Sequence, residues 1–372
     1  MKKELYRIGI IGFGHMHIND VAKHFVDHPR TQIVACCDLP PAVPEVRVAP
    51  YTRAWNLNHA VENFGHPKVY TDYKQMLQDE DLDLAIITTE VVNHRQVVID
   101  CLRAGVGVSI EKPMAMNLSD ALAMVREAEE TGTLLFVNWP VAWSASAYKL
   151  KELADSGVIG RILELKYRTG HSGPLGPGAK HAGVSETAQP MTGYERAQTW
   201  WHQARMGGGA MLDYCCYGSL LSHWYIPQPA IAVMGMRANL DSQYGDADDN
   251  AAMIVRFPGA MALLEGTWST FHHGISCGPV LYGSKGTLVE TWNAIKVFPA
   301  EGEAYEVPVE PLADAWKDVA CAYVTHMDTG EPLPLPLQME FNLEAMAILD
   351  AGLRSAESGQ IELVQNRAWN IG

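Results

Sequence analysis

A chain of 372 residues exceeds what one ordinary hydrophobic core serves, so two domains are expected. With 48% hydrophobic and 19% charged residues, no low-complexity tract and no apolar run near the ~18 residues of a membrane span, the sequence reads as a soluble globular protein without a membrane partner. A formal net charge of −15, from 28 Lys and Arg against 43 Asp and Glu, repels phosphate polymers and argues against nucleic acid or anionic membrane surfaces as partners.

The amino-terminal stretch MKKELYRIGIIGFG is basic but merges at once into a short strand and a glycine turn, which is not the pattern of a secretion signal, and a cytoplasmic protein is expected. LYRIGIIG, a helical segment to about Asp27 and QIVACCD then follow as strand, helix and strand in the span of one βαβ unit. Gly12 and Gly14 fall between the first strand and its helix, where bare backbone N–H groups can hold a pyrophosphate, with His15 and Met16 next to it. The third glycine of the usual fingerprint is absent, since position 17 is His. Asp38 closes the second strand 24 residues beyond Gly14, where an acid accepts hydrogen bonds from an adenosine ribose. That acid repels a 2′-phosphate and the following LPPA brings no arginine, so NAD is favoured over NADP.

From Leu39 to about Phe64 the chain looks like a Pro-rich insertion without assignable elements. The alternation then resumes with helix TDYKQMLQDEDLD, strand LAIITT ending at Thr88, a helix after Asn93-His94, strand VGVSI, helix NLSDALAMVREAEETG and strand TLLFVNW, ending at Asn138 and Trp139. This describes a parallel sheet covered on both faces, the first domain spanning residues 1–138 and the second 139–372. In the second, a helix at 145–156 is followed by long strand-like runs joined by short turns, which indicate a large, mostly antiparallel open sheet. A Gly/Pro-rich loop at 170–193, a helix at 211–225 and a carboxyl-terminal helix that packs back on the rest complete the expectation.

The tripeptide Glu111-Lys112-Pro113 ends the fourth parallel strand, on the sheet edge where open α/β folds bind ligands. Pro113 stops the ladder, Glu111 can orient the turn, and Lys112 is left to present an ammonium group to a cofactor or to make a surface ion pair. Taken together, GIIGFGH, CCD, EKP, GGGAMLD and the terminal SAESGQIELV resemble the Gfo/Idh/MocA oxidoreductases from end to end. The resemblance implies a Rossmann domain, a second α/β domain whose sheet often serves in oligomerisation, and NAD(P)-linked oxidation of a sugar, glycoside or cyclitol. It also implies cofactor contacts at Thr88, Asn93, His94, Glu111, Lys112 and Asn138 besides the glycine turn and Asp38.

In the family's G-G-G-x-x-x-D-x-G-x-H stretch this chain keeps Asp213, but has Cys215 for the usual glycine and Tyr217 for the histidine, as in a subset resembling glucose–fructose oxidoreductase and dihydrodiol dehydrogenase. A spacing of four puts Asp213 and Tyr217 on one helix face. A phenol, with a pKa near 10, needs a cation beside it to act as a base, so Lys112, Tyr217 and Asp213 form the expected catalytic group, Asp213 holding the sugar and either Lys112 or Tyr217 taking its proton. Trp139, Trp201 and His171 are further substrate contacts, and the loop carrying His171, Lys180 and His181 could form a lid. No metal is expected: HMH at 15–17 and HH at 272–273 have no Cys, Asp or Glu companion at ligand spacing in the sequence, and the seven cysteines form neither a disulfide framework nor a zinc pattern. Two other activities fit the same motifs, a glycosidase acting by transient C3 oxidation and elimination and a non-catalytic NAD-binding sensor. A one-sided sheet also predicts a homo-oligomer.

Overall fold

The computed structural model describes residues 2–41, 44–171, 173–175, 191–242, 244–269, 278–291 and 294–365. The first half builds β1 (Tyr6–Ile11), α1 (Ile18–Asp27), β2 (Thr31–Cys37), α2 (Arg53–Asn63), β3 (Lys68–Tyr70), α3 (Tyr73–Asp79), β4 (Leu84–Ile87), α4 (His94–Arg103), β5 (Gly107–Glu111), α5 (Leu118–Thr131) and β6 (Leu135–Asn138). All six strands are parallel, in the order β3-β2-β1-β4-β5-β6. β4, β5 and β6 are buried along their whole length, which is why LAII, GVSIE and LFVN read as continuous runs rather than alternating ones. The order reverses at β1, whose neighbours are β2 and β4, so the crevice for a ligand opens at the carboxyl ends of these strands.

The second half contains α6 (Ala145–Asp155), β7 (Ile162–Gly170), α7 (Gly193–Ala197), α8 (Cys216–Tyr225), β8 (Ala232–Ala238), β9 (Asn250–Arg256), β10 (Met261–Thr267), β11 (Val280–Gly283), β12 (Gly286–Glu290), β13 (Ala294–Pro299), β14 (Tyr305–Pro308), α9 (Val319–Thr329), α10 (Met339–Ser358) and β15 (Glu362–Leu363). Its nine strands run β14-β13-β12-β11-β7-β10-β9-β8-β15, and only the β7–β10 pair is parallel. Burial alternates along β9 and β10, as a sheet covered on one face requires. Helices α8 and α10 cover the inner face. On the other face Met234, Met236, Ile254, Met261 and Phe298 are exposed, Met236 at 69%. The carboxyl-terminal helix also reaches the first sheet: Asn342 Oδ1 accepts from Trp139 Nε1 at 2.6 Å, and Asp350 Oδ1 accepts from the Leu118 N–H at 3.1 Å.

Several elements differ from the sequence reading. The insertion carries helix α2, capped by Glu45, whose carboxylate accepts the Arg53 N–H at 2.8 Å and the Ala54 N–H at 3.3 Å. The expected helix 211–225 opens as a π-turn, Met211–Cys215, before α8 begins. Helix α9 and strands β11, β14 and β15 were too short or too mixed to read. Lys180, His181 and the His272-His273 pair lie outside the described residues.

Candidate functional site

The glycine turn is shaped by what surrounds it. Gly12 has φ +88°, and a Cβ there would stand 2.3 Å from Thr89 Cγ2, so only glycine fits. Thr88 Oγ1 donates to the Gly12 carbonyl at 2.7 Å and the Thr88 carbonyl accepts the His15 N–H at 3.0 Å, tying the ends of β1 and β4 together. A Cβ on Gly14 would lie 3.0 Å from Arg53 Nη2, so the second glycine leaves room for that guanidinium. Trp200 Nε1 donates to the Gly14 carbonyl at 2.8 Å, and Trp201 stacks on Trp200 at 3.9 Å and meets His15 edge-on, with Met16 in the same apolar cluster. Trp201, expected at the substrate, therefore stands over the glycine turn.

Asp38 ends β2 with Oδ1 accepting from the Phe13 N–H at 2.9 Å and from Arg53 Nη1 at 2.5 Å. The other guanidinium nitrogen of Arg53 pairs with Glu90, whose second oxygen accepts from Asn93 Nδ2 at 3.0 Å. Burial pushes the Asp38 carboxyl up to about 6, against the pull of Arg53 and the Phe13 N–H. The sequence reading found no arginine next to Asp38 because it arrives 15 residues later, from the first turn of α2. Asn93 and His94 have structural partners: His94 Nδ1 lies 3.2 Å from the Met114 carbonyl, and burial lowers its pKa.

Lys112 follows β5, joined to Pro113 by a cis peptide bond. Glu111 faces away from it, with Oε1 2.8 Å from His17 Nδ1 and Oε2 accepting from Asn138 Nδ2 at 3.3 Å. The ring nitrogens of His15 and His17 and a Glu111 oxygen come within 4.8 Å of one another, so the HMH pair does have an acidic companion, supplied by another strand. His17 and Asn138 also border a cavity of about 470 Å³ closed by Val21, Pro140 and Trp143.

The Lys112 ammonium is 2% exposed and crosses to the second half of the chain. It donates to Asp213 Oδ1 at 2.5 Å and to the Asp213 carbonyl at 3.0 Å. Asp213 sits in the π-turn, and its carbonyl also accepts from Cys216 Sγ at 3.1 Å. Asp213 Oδ2 accepts from Trp268 Nε1 at 3.0 Å. Nζ stands 4.9 Å from the centroid of the Tyr217 ring and 5.9 Å from that of Tyr214, so the phenol of Tyr217 meets the cation with its face. Burial lowers the Lys112 pKa, but Asp213 more than restores it and the net shift is upward; for Asp213 burial raises and Lys112 lowers, with a net downward shift. The resting couple is thus an ammonium and a carboxylate. Burial drives the Tyr217 hydroxyl well above its usual value, so it rests as a neutral phenol.

The glycine run holds the π-turn in place. Gly209, at φ +117°, would place a Cβ 2.5 Å from Asp248 Oδ1, while Asp248 accepts the Met211 N–H at 2.8 Å and its carbonyl accepts the Ala210 N–H at 2.8 Å. Trp139 packs edge-on behind Tyr217 at 5.1 Å, and His171 packs edge-on against Tyr214 at 5.4 Å. Lys112, Asp213 and Tyr217 are thus brought together, with Trp139 and His171 one layer out. Sequence reasoning missed Arg53, Glu90, Asp248 and Trp268. An Asp-Asp pair opening a strand and a Trp closing one were the available signals, and neither says which side chain crosses a domain cleft.

A reversing parallel sheet with Gly-x-Gly at its switch point, facing a second domain whose π-turn lends an acid to a buried lysine, defines a two-domain Rossmann protein. The chain belongs to the Gfo/Idh/MocA oxidoreductase family: residues 6–139 match its NAD-binding Rossmann-fold model and residues 148–289 its carboxyl-terminal domain. It is 24% identical to myo-inositol 2-dehydrogenase of Thermotoga maritima over 62% of this chain and 63% of that one, and 25% identical to trans-1,2-dihydrobenzene-1,2-diol dehydrogenase of Bos taurus over 66% of each. It is also 30% identical to a glycosyl hydrolase family 109 protein of Bacteroides fragilis over 44% of this chain and 34% of that one. The matches thus span from about a third to two thirds of these relatives. Among solved structures, the WlbA dehydrogenase of Bordetella pertussis, in complex with NADH and UDP-GlcNAcA, superposes with a TM-score of 0.75 at 21% identity over 98% of this chain and 99% of that one. The aldose-aldose oxidoreductase of Caulobacter crescentus, complexed with glycerol, gives 0.72 at 18% over 96% and 99%. Those likenesses establish the fold. NAD fits the residues present: the Gly12–Gly14 turn lies at the switch point of the parallel sheet, and Asp38 follows the strand beside it.

Proposed function

We propose that the protein is an NAD-dependent dehydrogenase acting on a ring hydroxyl of a sugar, glycoside or cyclitol. The observation that carries this reading is the buried Lys112–Asp213 couple at the carboxyl edge of the nucleotide-binding sheet. Bound NAD supplies nicotinamide C4 as hydride acceptor. Gly12, Gly14 and Asp38 hold the dinucleotide, and Thr88 and His15 keep the turn rigid. Lys112, once it is an amine, takes the hydroxyl proton through Nζ and becomes the ammonium that Asp213 stabilises. Trp268 fixes the second Asp213 oxygen, so the carboxylate cannot rotate away from Nζ.

Tyr217 supports the ammonium through its ring face, which favours Lys112 over the phenol as the group that moves the proton. In the resting state Lys112 already carries that proton, so the same couple is poised to protonate a ketone, and alcohol oxidation is favoured by alkaline conditions. The likeness to inositol and dihydrodiol dehydrogenases supports a ring diol or polyol as substrate. NADH formation from NAD across a panel of sugars, glycosides and cyclitols tests the reading, which fails if no member of the panel yields NADH while NAD binds.

The 30% identity to the family 109 protein favours one second reading, cleavage of a glycoside with NAD recycled. Release of an aglycone without net NADH would support it. The open apolar face of the second sheet is proposed to pair with a second copy of the chain. Among the described residues no helix is long and apolar enough to cross a membrane.

A further inference from the structure

Beside Trp268 lies a second cavity of about 220 Å³, bounded by Gly173, Arg196, His202, Ser242, Tyr244 and Trp268. It adjoins the reaction centre, because the indole that lines one side of it donates to Asp213 Oδ2. His202 is 2% exposed, and its ring is wedged edge-on between Tyr244 at 4.9 Å and Trp268 at 5.4 Å. Neither of its nitrogens has a hydrogen-bond partner among the described residues. Burial pushes its pKa down to about 3, so it is a neutral imidazole with one donor and one acceptor unmet. Leaving both unmatched in a dry site is unfavourable, and such groups mark places where something else binds.

Arg196 adds the charge. Its guanidinium stands 5.2 Å from the centroid of the Tyr244 ring, its buried Nε has no partner, and among the described residues no carboxylate pairs with it. Two acids also border the cavity. Asp249 is committed to its own loop, accepting the N–H groups of Leu240 at 2.7 Å, Asp241 at 2.8 Å and Ser242 at 2.6 Å, and Asn250 Nδ2 at 2.8 Å. Asp241 is exposed to solvent. The unmatched valences are therefore a guanidinium fork and an imidazole, between two aromatic walls.

We infer that this cavity is a subsite for a carboxylate, and that the preferred substrate is an acidic sugar whose carboxylate lies on Arg196 while a ring hydroxyl faces Lys112. A planar fork of N–H groups matches a carboxylate bidentately, and Trp268 and Tyr244 suit the apolar faces of a sugar ring. The volume is below the roughly 300–1,000 Å³ of sites that enclose a whole ligand, so it takes a substituent or one ring. The inference rests on the dehydrogenase reading for what happens at Lys112, but the binding it predicts is separable from turnover.

Calorimetry on the NAD-loaded protein with D-glucuronate, D-glucose and glucose 6-phosphate tests it. Glucuronate should bind roughly tenfold or more tightly than glucose, the scale of one charge-assisted contact. That preference should vanish in Arg196→Met, fall partway in Arg196→Lys, which keeps the charge and loses the fork, and persist in Arg205→Met, an exposed control. Equal binding of glucuronate and glucose, no binding of glucuronate, a stronger response to the phosphate ester, or a preference that survives in Arg196→Met would overturn the inference. Glucuronate that binds through Arg196 without forming NADH would leave the subsite standing and count against dehydrogenation of that ring. Oxidation of polyols with no regard to a carboxylate would do the reverse.

Discussion

Replacing Asp213 by Asn removes the charge that keeps a fully buried lysine protonated. Nζ loses its 2.5 Å ionic partner and retains a neutral amide and the residue 213 carbonyl. Breaking one side of a buried pair costs about 3–5 kcal/mol when the remaining charge persists. Lys112 can avoid that cost by losing its proton, since burial already pulls in that direction and Asp213 is the main opposing cause. At about 1.4 kcal/mol per pH unit, the same energy corresponds to a fall of roughly 2–4 units in the lysine pKa. The assay needs no substrate: with lysine labelled at Cε, the Lys112 resonance is followed by NMR from acid to alkaline pH in both proteins. In the parent it should hold its ammonium shift past the ordinary lysine range, and in Asp213→Asn it should titrate at far lower pH. An unchanged midpoint in a variant that keeps its fold would refute the electrostatic reasoning.

Other consequences follow from the same geometry. Lys112→Met should lower turnover ~10²–10⁴-fold with NAD affinity largely kept, because Nζ moves a proton and the glycine turn holds the dinucleotide; stopped-flow NADH formation beside NAD titration checks this. NAD affinity should fall as pH drops through about 6, where Asp38 takes up a proton and stops accepting from ribose hydroxyls. In Arg53→Met, which removes a group that lowers this pKa, the loss should begin at higher pH, and thermal unfolding should show a destabilisation of about 3–5 kcal/mol, since Glu90 and Asp38 lose their buried counter-ion; a superimposable affinity profile would contradict the assignment. Light scattering should find an oligomer that Met236→Glu with Ile254→Lys dissociates, both positions lying on the exposed sheet face, and a monomeric parent at micromolar concentration would count against self-pairing.

What the sequence made legible was what local pattern encodes. Buried parallel strands such as LAII announce themselves as unbroken apolar runs, and Gly12, whose φ and tight contact with Thr89 admit no side chain, is recognisable as a turn glycine. Lys112 was legible from its place at a strand edge and Asp213 and Tyr217 from a resemblance, and the fold brings the latter two to the lysine from more than 100 residues away. Their division of labour was not legible: whether Tyr217 offers its hydroxyl or its ring face to the ammonium depends on a π-turn that shifts the helix register, and residue spacing does not reveal that turn. Arg53 was hidden for the opposite reason, since an insertion without periodicity carries it to Asp38 from 15 residues away. Trp268 drew no reading, and for His202 sugar stacking and core packing stood equally open, because only the tertiary fold distinguishes a packed ring from one that lines a cavity.

The most direct test of the whole account is a crystal structure of the protein soaked with NAD. The account predicts nicotinamide C4 beside Nζ of Lys112, with the adenosine ribose at Asp38 and room left between the ring and Asp213 for a sugar carbon. A nicotinamide ring lodged away from the lysine, or a dinucleotide bound with its ribose far from β2, would contradict it.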